Sequence, residues 1–347
     1  MSPRARIEAL LAAARAVFGP ARAPTLVRAL AEETQSSEEV VADALDRWLE
    51  LSPEPEELDR MVVRARPRSA VLVSLSANVV TAPLRAIAWA LAASDAVSVR
   101  TSRRATRFVD ALAAATDRFT RLPPSDDHAA LSAAIARLPA DAAVHAYGGS
   151  EAMKALATAV GNRPFEAHGP GFGAIVLGAP PNRATARAVA DDTLAFDQRG
   201  CLSPRVVLVI GDSARTARVL HEALAEGSLR LPRAPLDPPL RAALARLGDV
   251  AHMVGEAHVG AGHAVFDLGA TEPTLSPGGR SLTVHAVADH AAAERAIAAL
   301  GDRLTQIAMD LPLAAPPLVR VCRPGEMQRP PFDGPVDLRP VLVEERE

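Results

Sequence analysis

The sequence predicts an α/β fold: two α/β lobes with mostly parallel sheets, preceded by an N-terminal helical segment. Three observations carry this reading. From residue 69 onward, short apolar runs alternate with stretches of helical spacing. The length, 347 residues, suggests about two domains, since domains commonly hold ~100–200 residues. Residues 1–65 lack such runs and carry helical periodicity instead.

The elements follow in order. In the helical segment, Ser37 stands as an N-cap before acidic residues, and Val40, Val41, Leu45, Trp48 and Leu49 fall on one face. Residues 52–59, SPEPEELD, break the pattern and read as a solvated connection. Residues 70–76, AVLVSLS, read as a buried parallel strand. A helix at 82–94, a strand at 96–102 and a helix at 103–116 continue the alternation. Residues 142–160 repeat it as strand, glycine turn and helix. A second block runs through strands at 172–179, 205–211, 281–289 and 303–310, with helices at 182–196, 212–227 and 290–300 between them. The Pro-rich close contains a short strand and turns. The expected division is a helical segment 1–65, an α/β domain 66–178, a second α/β domain 179–310 and a closing segment 311–347.

Composition excludes several classes. Hydrophobic residues make up 49% and charged residues 23%, which is globular rather than disordered. Aromatics are only 3%, so Ala, Val and Leu must build the core. A net charge of −3, with no basic tail, argues against a nucleic-acid partner. No run approaches the ~18 apolar residues of a membrane span. The Arg-rich start contains Glu8 and lacks a long apolar core, so it reads as a surface helix rather than a targeting peptide. Two cysteines, Cys201 and Cys322, make no disulfide framework, and a reducing cytoplasmic setting is expected. Nine scattered histidines have no ligand spacing, so no metal site is expected.

Four stretches could carry chemistry. Asn78 follows a strand end, where its amide is either a turn former or a donor to a developing oxyanion. Arg100 closes the next strand, with Ser102, Arg103 and Arg104 behind it; these are a solvated helix start or a phosphate or ribose site. Gly148, Gly149 and Ser150 join a strand to a helix, either as a plain turn or as a cradle for phosphates. Cys201 lies between Gly200 and an apolar strand, with Arg199 and Arg205 near in sequence. It is either a small buried hydrophobe or a nucleophile.

The order of these parts resembles the aldehyde dehydrogenase superfamily, which implies that 66–178 is a nucleotide-binding domain, 179–310 a catalytic domain carrying Cys201 and 311–347 a returning segment. The stretch 76–102 looks like that family's asparagine loop, helix and cofactor strand, and YGGSEAMKAL at 147–156 like its Gly-Ser turn. Closer still is the acyl-CoA reductase branch, which includes the fatty-acid reductase component of bioluminescence systems. HGPGFGAIVL at 168–177, DDTLAFDQRGCLSPRVVLV at 191–209 and the tail 322–342 are in its style. The Asp-Gln-x-x-Cys-x-Ser-Pro pattern at 197–204 is the most specific part.

The resemblance implies NADPH-dependent reduction of an acyl-CoA thioester to an aldehyde, with NADH possible. Cys201 would be the acylated nucleophile. Asn78 and the Cys201 N–H would form the oxyanion hole. Arg100 and Ser102 would approach the adenosine ribose, and Gly149 and Ser150 the pyrophosphate. It also implies a homo-oligomer or a complex with an acyl-supplying protein. The departures matter. Ala167 stands where hydrolytic members carry a glutamate, and adjacent Glu166 would face the other way in an extended segment. Glu272 is the nearest match to a second family glutamate, and Val80 replaces a common proline. Loss of the water-activating carboxylate favours thioester chemistry. It also permits a catalytically inactive relative with a structural or interaction role. Oxidation of aldehyde to acid would need Glu166 in the base role.

Overall fold

In the computed structural model, which describes residues 1–334 and 336–339, the chain forms two compact units. The first comprises residues 1–170 with 331–336, and the second 171–330 with 337–339. Residues 340–347, the end of the expected returning segment, lie outside the described residues.

The first unit opens with α1 (Pro3–Phe18), α2 (Pro24–Thr34) and α3 (Glu38–Asp43), the last continuing into a π turn, Ala44–Trp48. Ser37 caps α3, accepting from the Val40 N–H at 3.2 Å, and Val40, Val41, Leu45, Trp48 and Leu49 are all buried. The expected solvated connection at 52–59 instead starts α4 (Pro55–Arg64). Pro55 sits at the first helical position, and Glu54 and Glu57 form a capping box, so the residues that break one helix initiate the next. Then come β1 (Val71–Leu75), α5 (Ala82–Ala93), β2 (Val97–Thr101), α6 (Arg107–Ala115), β3 (Thr120–Arg121), α7 (His128–Ala136), β4 (Ala143–Tyr147), α8 (Ser150–Val160) and β5 (Phe165–His168).

These strands form one parallel sheet in the order β3-β2-β1-β4-β5. Alternation along β1 sends Val71, Val73 and Leu75 into one core and Leu72 into the other. On the first face lie α1, α5 and α6, with Phe18 stacked on Phe108 at 4.0 Å between centroids. On the second lie α7 and α8, through Leu131, Ile135, Met153, Leu156 and Val160. The N-terminal helices are thus part of this unit's core rather than a separate body. Chain order reverses between β1 and β4, so their C-terminal ends diverge at a topological switch point, the usual ligand crevice of an open parallel sheet.

The second unit runs β6 (Phe172–Leu177), α9 (Arg183–Leu194), a single 3-10 turn (Ala195–Gln198), β7 (Pro204–Ile210), α10 (Ser213–Arg230), α11 (Pro238–Val254), β8 (Glu256–Val259), β9 (Ala264–Asp267), β10 (Ser281–Val287), α12 (His290–Ala299), β11 (Leu304–Met309) and β12 (Arg320–Cys322). The sheet order is β12-β11-β6-β7-β10-β9-β8, parallel except where β8 meets β9. The expected nucleotide-binding domain ended at 178. Strand β6 lies beyond that unit because its wholly apolar run pairs with β7 and β11, so the units divide between Pro170 and Gly171. Among the described residues no helix is long and apolar enough to cross a membrane.

Candidate functional site

Five expected residues gather at the C-terminal end of the first unit's sheet: Asn78 after β1, Arg100 and Ser102 at the end of β2, and Gly149 and Ser150 between β4 and α8. Asn78, Gly149 and Ser150 are exposed. Gly149 is the N-cap of α8 and offers no side chain to its free N–H groups. A Cβ built on Gly149 would meet nothing within 4 Å, so there is room for a bulky group there. Uncapped donors with open space before them fit a cofactor pyrophosphate.

The other two residues are more occupied than expected. The Arg100 guanidinium reaches inward, donating to Ser74 Oγ at 3.2 Å and to the Ser125 carbonyl. Burial lowers its pKa, and its buried Nε finds no hydrogen-bond partner among the described residues. Ser102 Oγ accepts from the Arg104 N–H at 3.2 Å, and its hydroxyl holds the Asp126 carboxylate below the usual range. Asp126 also accepts from the Arg103 N–H at 3.2 Å. Asp126 is therefore a feature of this edge that the sequence reading missed. An acidic residue about 25 positions past the end of β2 was its only signal.

Cys201 belongs to the second unit, before β7. The turn that delivers it is unusual. Phe196, Asp197 and Gln198 have φ of 53°, 55° and 61°, three successive non-glycine residues in the left-handed region. Each costs about 1–3 kcal/mol, so surrounding contacts must hold them there. Gln198 Nε2 donates to the carbonyls of Pro204 at 2.6 Å and Ser281 at 2.7 Å, and its Oε1 accepts from the Ser281 N–H at 2.9 Å. Arg280 Nε donates to Asp197 Oδ1 at 2.9 Å, and Nη2 stands 2.7 Å from the same oxygen. Arg280 is fully buried.

Beyond the thiol the backbone is pinned as well. Thr305 Oγ1 lies 2.6 Å from the Cys201 carbonyl, Gln306 Nε2 donates to the Leu202 carbonyl at 2.7 Å, and the Gly173 N–H donates to the Ser203 carbonyl at 2.8 Å. Gly173 must be glycine. A Cβ there would stand 2.7 Å from the Leu202 carbonyl and 2.3 Å from Met327 Cε.

Cys201 itself is half-buried. Burial pushes its thiol up to about 11, and the Asp337 carboxylate adds to the rise while the Arg339 cation opposes it. Arg339 Nε donates to Asp337 Oδ1 at 2.8 Å and Nη2 to Oδ2 at 2.5 Å. The returning tail thus sets a two-pronged ion pair in the field of the thiol. Arg199, close in sequence, leans instead towards Asp197, at 4.0 Å. Arg205 donates to the Ser276 carbonyl at 3.1 Å. Neither neighbour-in-sequence supplies the cation that Arg339 does. Among the described residues no group of three or more His, Cys, Asp or Glu side chains could hold a metal ion.

The model of the family "Acyl-CoA reductase (LuxC)" matches residues 36–339. No curated protein matches the chain. Among solved structures, the chain resembles an NADP-dependent glyceraldehyde-3-phosphate dehydrogenase from Bacillus halodurans, at a TM-score of 0.67 and 16% identity over 92% of this chain and 78% of that one. It also resembles a methylmalonate-semialdehyde dehydrogenase from Oceanimonas doudoroffii, at 0.66 and 12% over 95% and 79%. A third is an NAD-dependent benzaldehyde dehydrogenase from Corynebacterium glutamicum, at 0.64 and 14% over 89% and 76%. At these identities the likeness establishes the fold, which is that of the aldehyde dehydrogenases. With the family match over most of its length, the chain belongs to the acyl-CoA reductase (LuxC) family and is an oxidoreductase acting on acyl and aldehyde groups.

Proposed function

We propose that the chain reduces an acyl-CoA thioester to an aldehyde through an acyl-enzyme on Cys201, with NADPH as reductant. The observation that carries the reading is the turn at Cys201. A half-buried cysteine is presented by three left-handed residues and by side chains from three separate segments, far more apparatus than a packing residue needs.

The Cys201 sulfur attacks the thioester carbonyl, and its proton leaves with the CoA sulfur. Asn78 and the Cys201 N–H are the assigned donors to the oxyanion formed on the way. When bound, the nicotinamide cofactor supplies a hydride. Gly149, Ser150 and the open first turn of α8 are suited to hold its pyrophosphate, and Arg100 and Ser102 its adenosine ribose. Reduction of the enzyme thioester leaves a thiohemiacetal on Cys201, which collapses to aldehyde and free thiol. In sum, acyl-CoA, NADPH and a proton give aldehyde, CoA and NADP⁺.

Glu166 bears on the hydrolytic alternative. Its carboxylate lies 3.6 Å from the imidazole of His145, its register partner on β4, and that buried histidine has its pKa lowered by desolvation. Glu166 is thus directed to a neighbour in its own sheet, which supports thioester exchange over water activation. Asp126 favours a second reading of the cofactor. A carboxylate beside Ser102 suits a ribose diol better than a 2′-phosphate, so NADH competes with NADPH for this site. Size-exclusion chromatography tests the expected homo-oligomer.

The decisive experiment is intact-mass spectrometry of the protein with acyl-CoAs of several chain lengths. An acyl adduct on Cys201, discharged as aldehyde by NADPH, is expected. No adduct, or reduction by Cys201→Ala at near wild-type rate, would overturn the mechanism.

A further inference from the structure

The Asp-Gln pair four residues before Cys201 meets a second unusual segment 80 residues away in sequence. Gly278, Gly279 and Arg280 have φ of 98°, 68° and 64°, so a second run of three left-handed residues faces the first. The two runs are joined by buried polar groups. Asp197 is 5% exposed, Gln198 1% and Arg280 0%. Asp197 takes the Arg280 guanidinium, which also donates to the Leu231 carbonyl, while Gln198 exchanges hydrogen bonds with Ser281 in both directions. The glycines cannot be replaced freely. A Cβ on Gly278 would meet Arg205 Nη1 at 2.7 Å, and the loop it belongs to carries Arg280.

A buried ion pair is weak evidence for stability, since an apolar pair of like volume often serves as well. Three strained residues are also a poor way to connect a helix to a strand. Strain held by buried charge, immediately before the nucleophile, has a simpler use: it fixes where the sulfur points.

We propose that Asp197, Gln198 and Arg280 are positioning residues, a buried clamp between two left-handed turns that orients Cys201 for attack on the acyl thioester. This rests on the reading of Cys201 as nucleophile. The clamp reaches the sulfur through the backbone of Arg199 and Gly200, because Arg280 has its guanidinium committed to Asp197 and Leu231. Releasing either turn relaxes Phe196 to Gln198 into ordinary backbone and turns the thiol away from its set direction. It also loosens the packing that desolvates the sulfur. Productive acyl transfer and adventitious alkylation should therefore move in opposite directions.

The test uses the full chain in a Cys322→Ser background, so that one thiol reports. Two variants loosen the clamp from different ends. Asp197→Asn with Arg280→Met removes both charges together and strands neither, and Gln198→Ala opens the Ser281 link. Circular dichroism melts establish folding, and Gln198→Ala decides by itself if the double variant does not fold. Two rates are read at Cys201: acyl transfer from decanoyl-CoA, with release of the CoA thiol, and alkylation by iodoacetamide across pH. We expect acyl transfer to fall at least tenfold with KM moved less than twofold. We expect alkylation to rise at least threefold, with its pH midpoint shifted down towards the ordinary thiol range. A folded variant with both rates within twofold of wild type overturns the proposal. So does one in which both rates fall together, since that is loss of the thiol's surroundings rather than its direction. If wild-type Cys201 accepts no acyl group, the nucleophile reading fails instead, and the alkylation profile still decides whether the clamp orients the thiol.

Discussion

In the first unit the candidate residues stand on loops at one end of a sheet, and Asn78, Gly149 and Ser150 are exposed. In the second, the residues behind Cys201 are buried and cross-linked, and the thiol itself is half-covered. The carboxylates follow the same division. Asp126, at the first unit's sheet edge, is held below the usual range by the Ser102 hydroxyl. Asp192, deep in the second unit, is pushed up to about 7 by burial. One region leaves its polar groups and backbone donors exposed. The other holds its thiol in low dielectric, where polar groups must be paired and protons are held tightly.

The sharpest break of this comparison lies in the thiol. With its pKa near 11, Cys201 is protonated at neutral pH. In the Cys322→Ser background, iodoacetamide labelling of Cys201 should climb about tenfold per pH unit, roughly a thousandfold from pH 7 to pH 10. A plateau near the free-thiol value would mean that the sulfur is solvated like the loops of the first unit. On the proposed mechanism a thiol protonated at rest gives up its proton during attack on the thioester, and labelling in the presence of acyl-CoA or nucleotide reads any shift that a ligand brings.

Asp192 gives the next largest effect. Its carboxylate accepts from the N–H groups of Gly325 at 2.6 Å and Met327 at 3.0 Å and is fully buried. A folded pKa raised from the ordinary carboxylate value stabilises the fold below that value. The contribution is lost as pH rises through about 7. Between the ordinary carboxylate value of 3.8 and about 7 the loss is on the order of 4 kcal/mol, at about 1.4 kcal/mol per unit. Urea denaturation across this range should show stability falling with pH, and Asp192→Asn should flatten the slope. An unchanged slope would place the titrating groups elsewhere.

Asn78→Ala should lower kcat about a hundredfold, since one oxyanion donor is typically worth about 3 kcal/mol, while nucleotide affinity stays within twofold. Exposure of Asn78 on its loop makes this a fair test, because little packing is lost with the amide. A drop under threefold would remove Asn78 from the oxyanion role.

What the sequence disclosed follows the same division. Alternating apolar runs located β1, β2, β4, β6, β7, β10 and β11, because a parallel strand buried on both faces has no choice of residue type. The glycine turn, Asn78 and Cys201 stand out because their local chemistry sets them apart. Arg280, Thr305, Gln306, Asp337 and Arg339 did not. Each lies more than 75 positions from Cys201, and only the folded second unit brings it to the turn at Cys201. The left-handed run at Phe196–Gln198 was also hidden, since of its residues Asp197 alone is of a type enriched in that region, and one such residue does not announce a run of three. Its trace in the sequence was indirect, in the Asp-Gln pair and in the polar Thr-Gln step inside an otherwise apolar strand.

The smallest effect concerns the cofactor edge. Asp126 occupies the Ser102 hydroxyl and the Arg103 N–H, two groups at this turn that could otherwise meet a 2′-phosphate. Asp126→Asn keeps the shape and removes the charge. It should raise kcat/KM for NADPH about fivefold relative to NADH, roughly 1 kcal/mol, in line with one partly screened charge at an exposed edge. Steady-state rates with both cofactors, at low and at high salt, check this. Salt should shrink the preference in the wild type and leave the variant almost unaffected. If the ratio stays fixed at both ionic strengths, the adenosine ribose lies away from Asp126, and the open edge of the first unit selects its ligand by other groups.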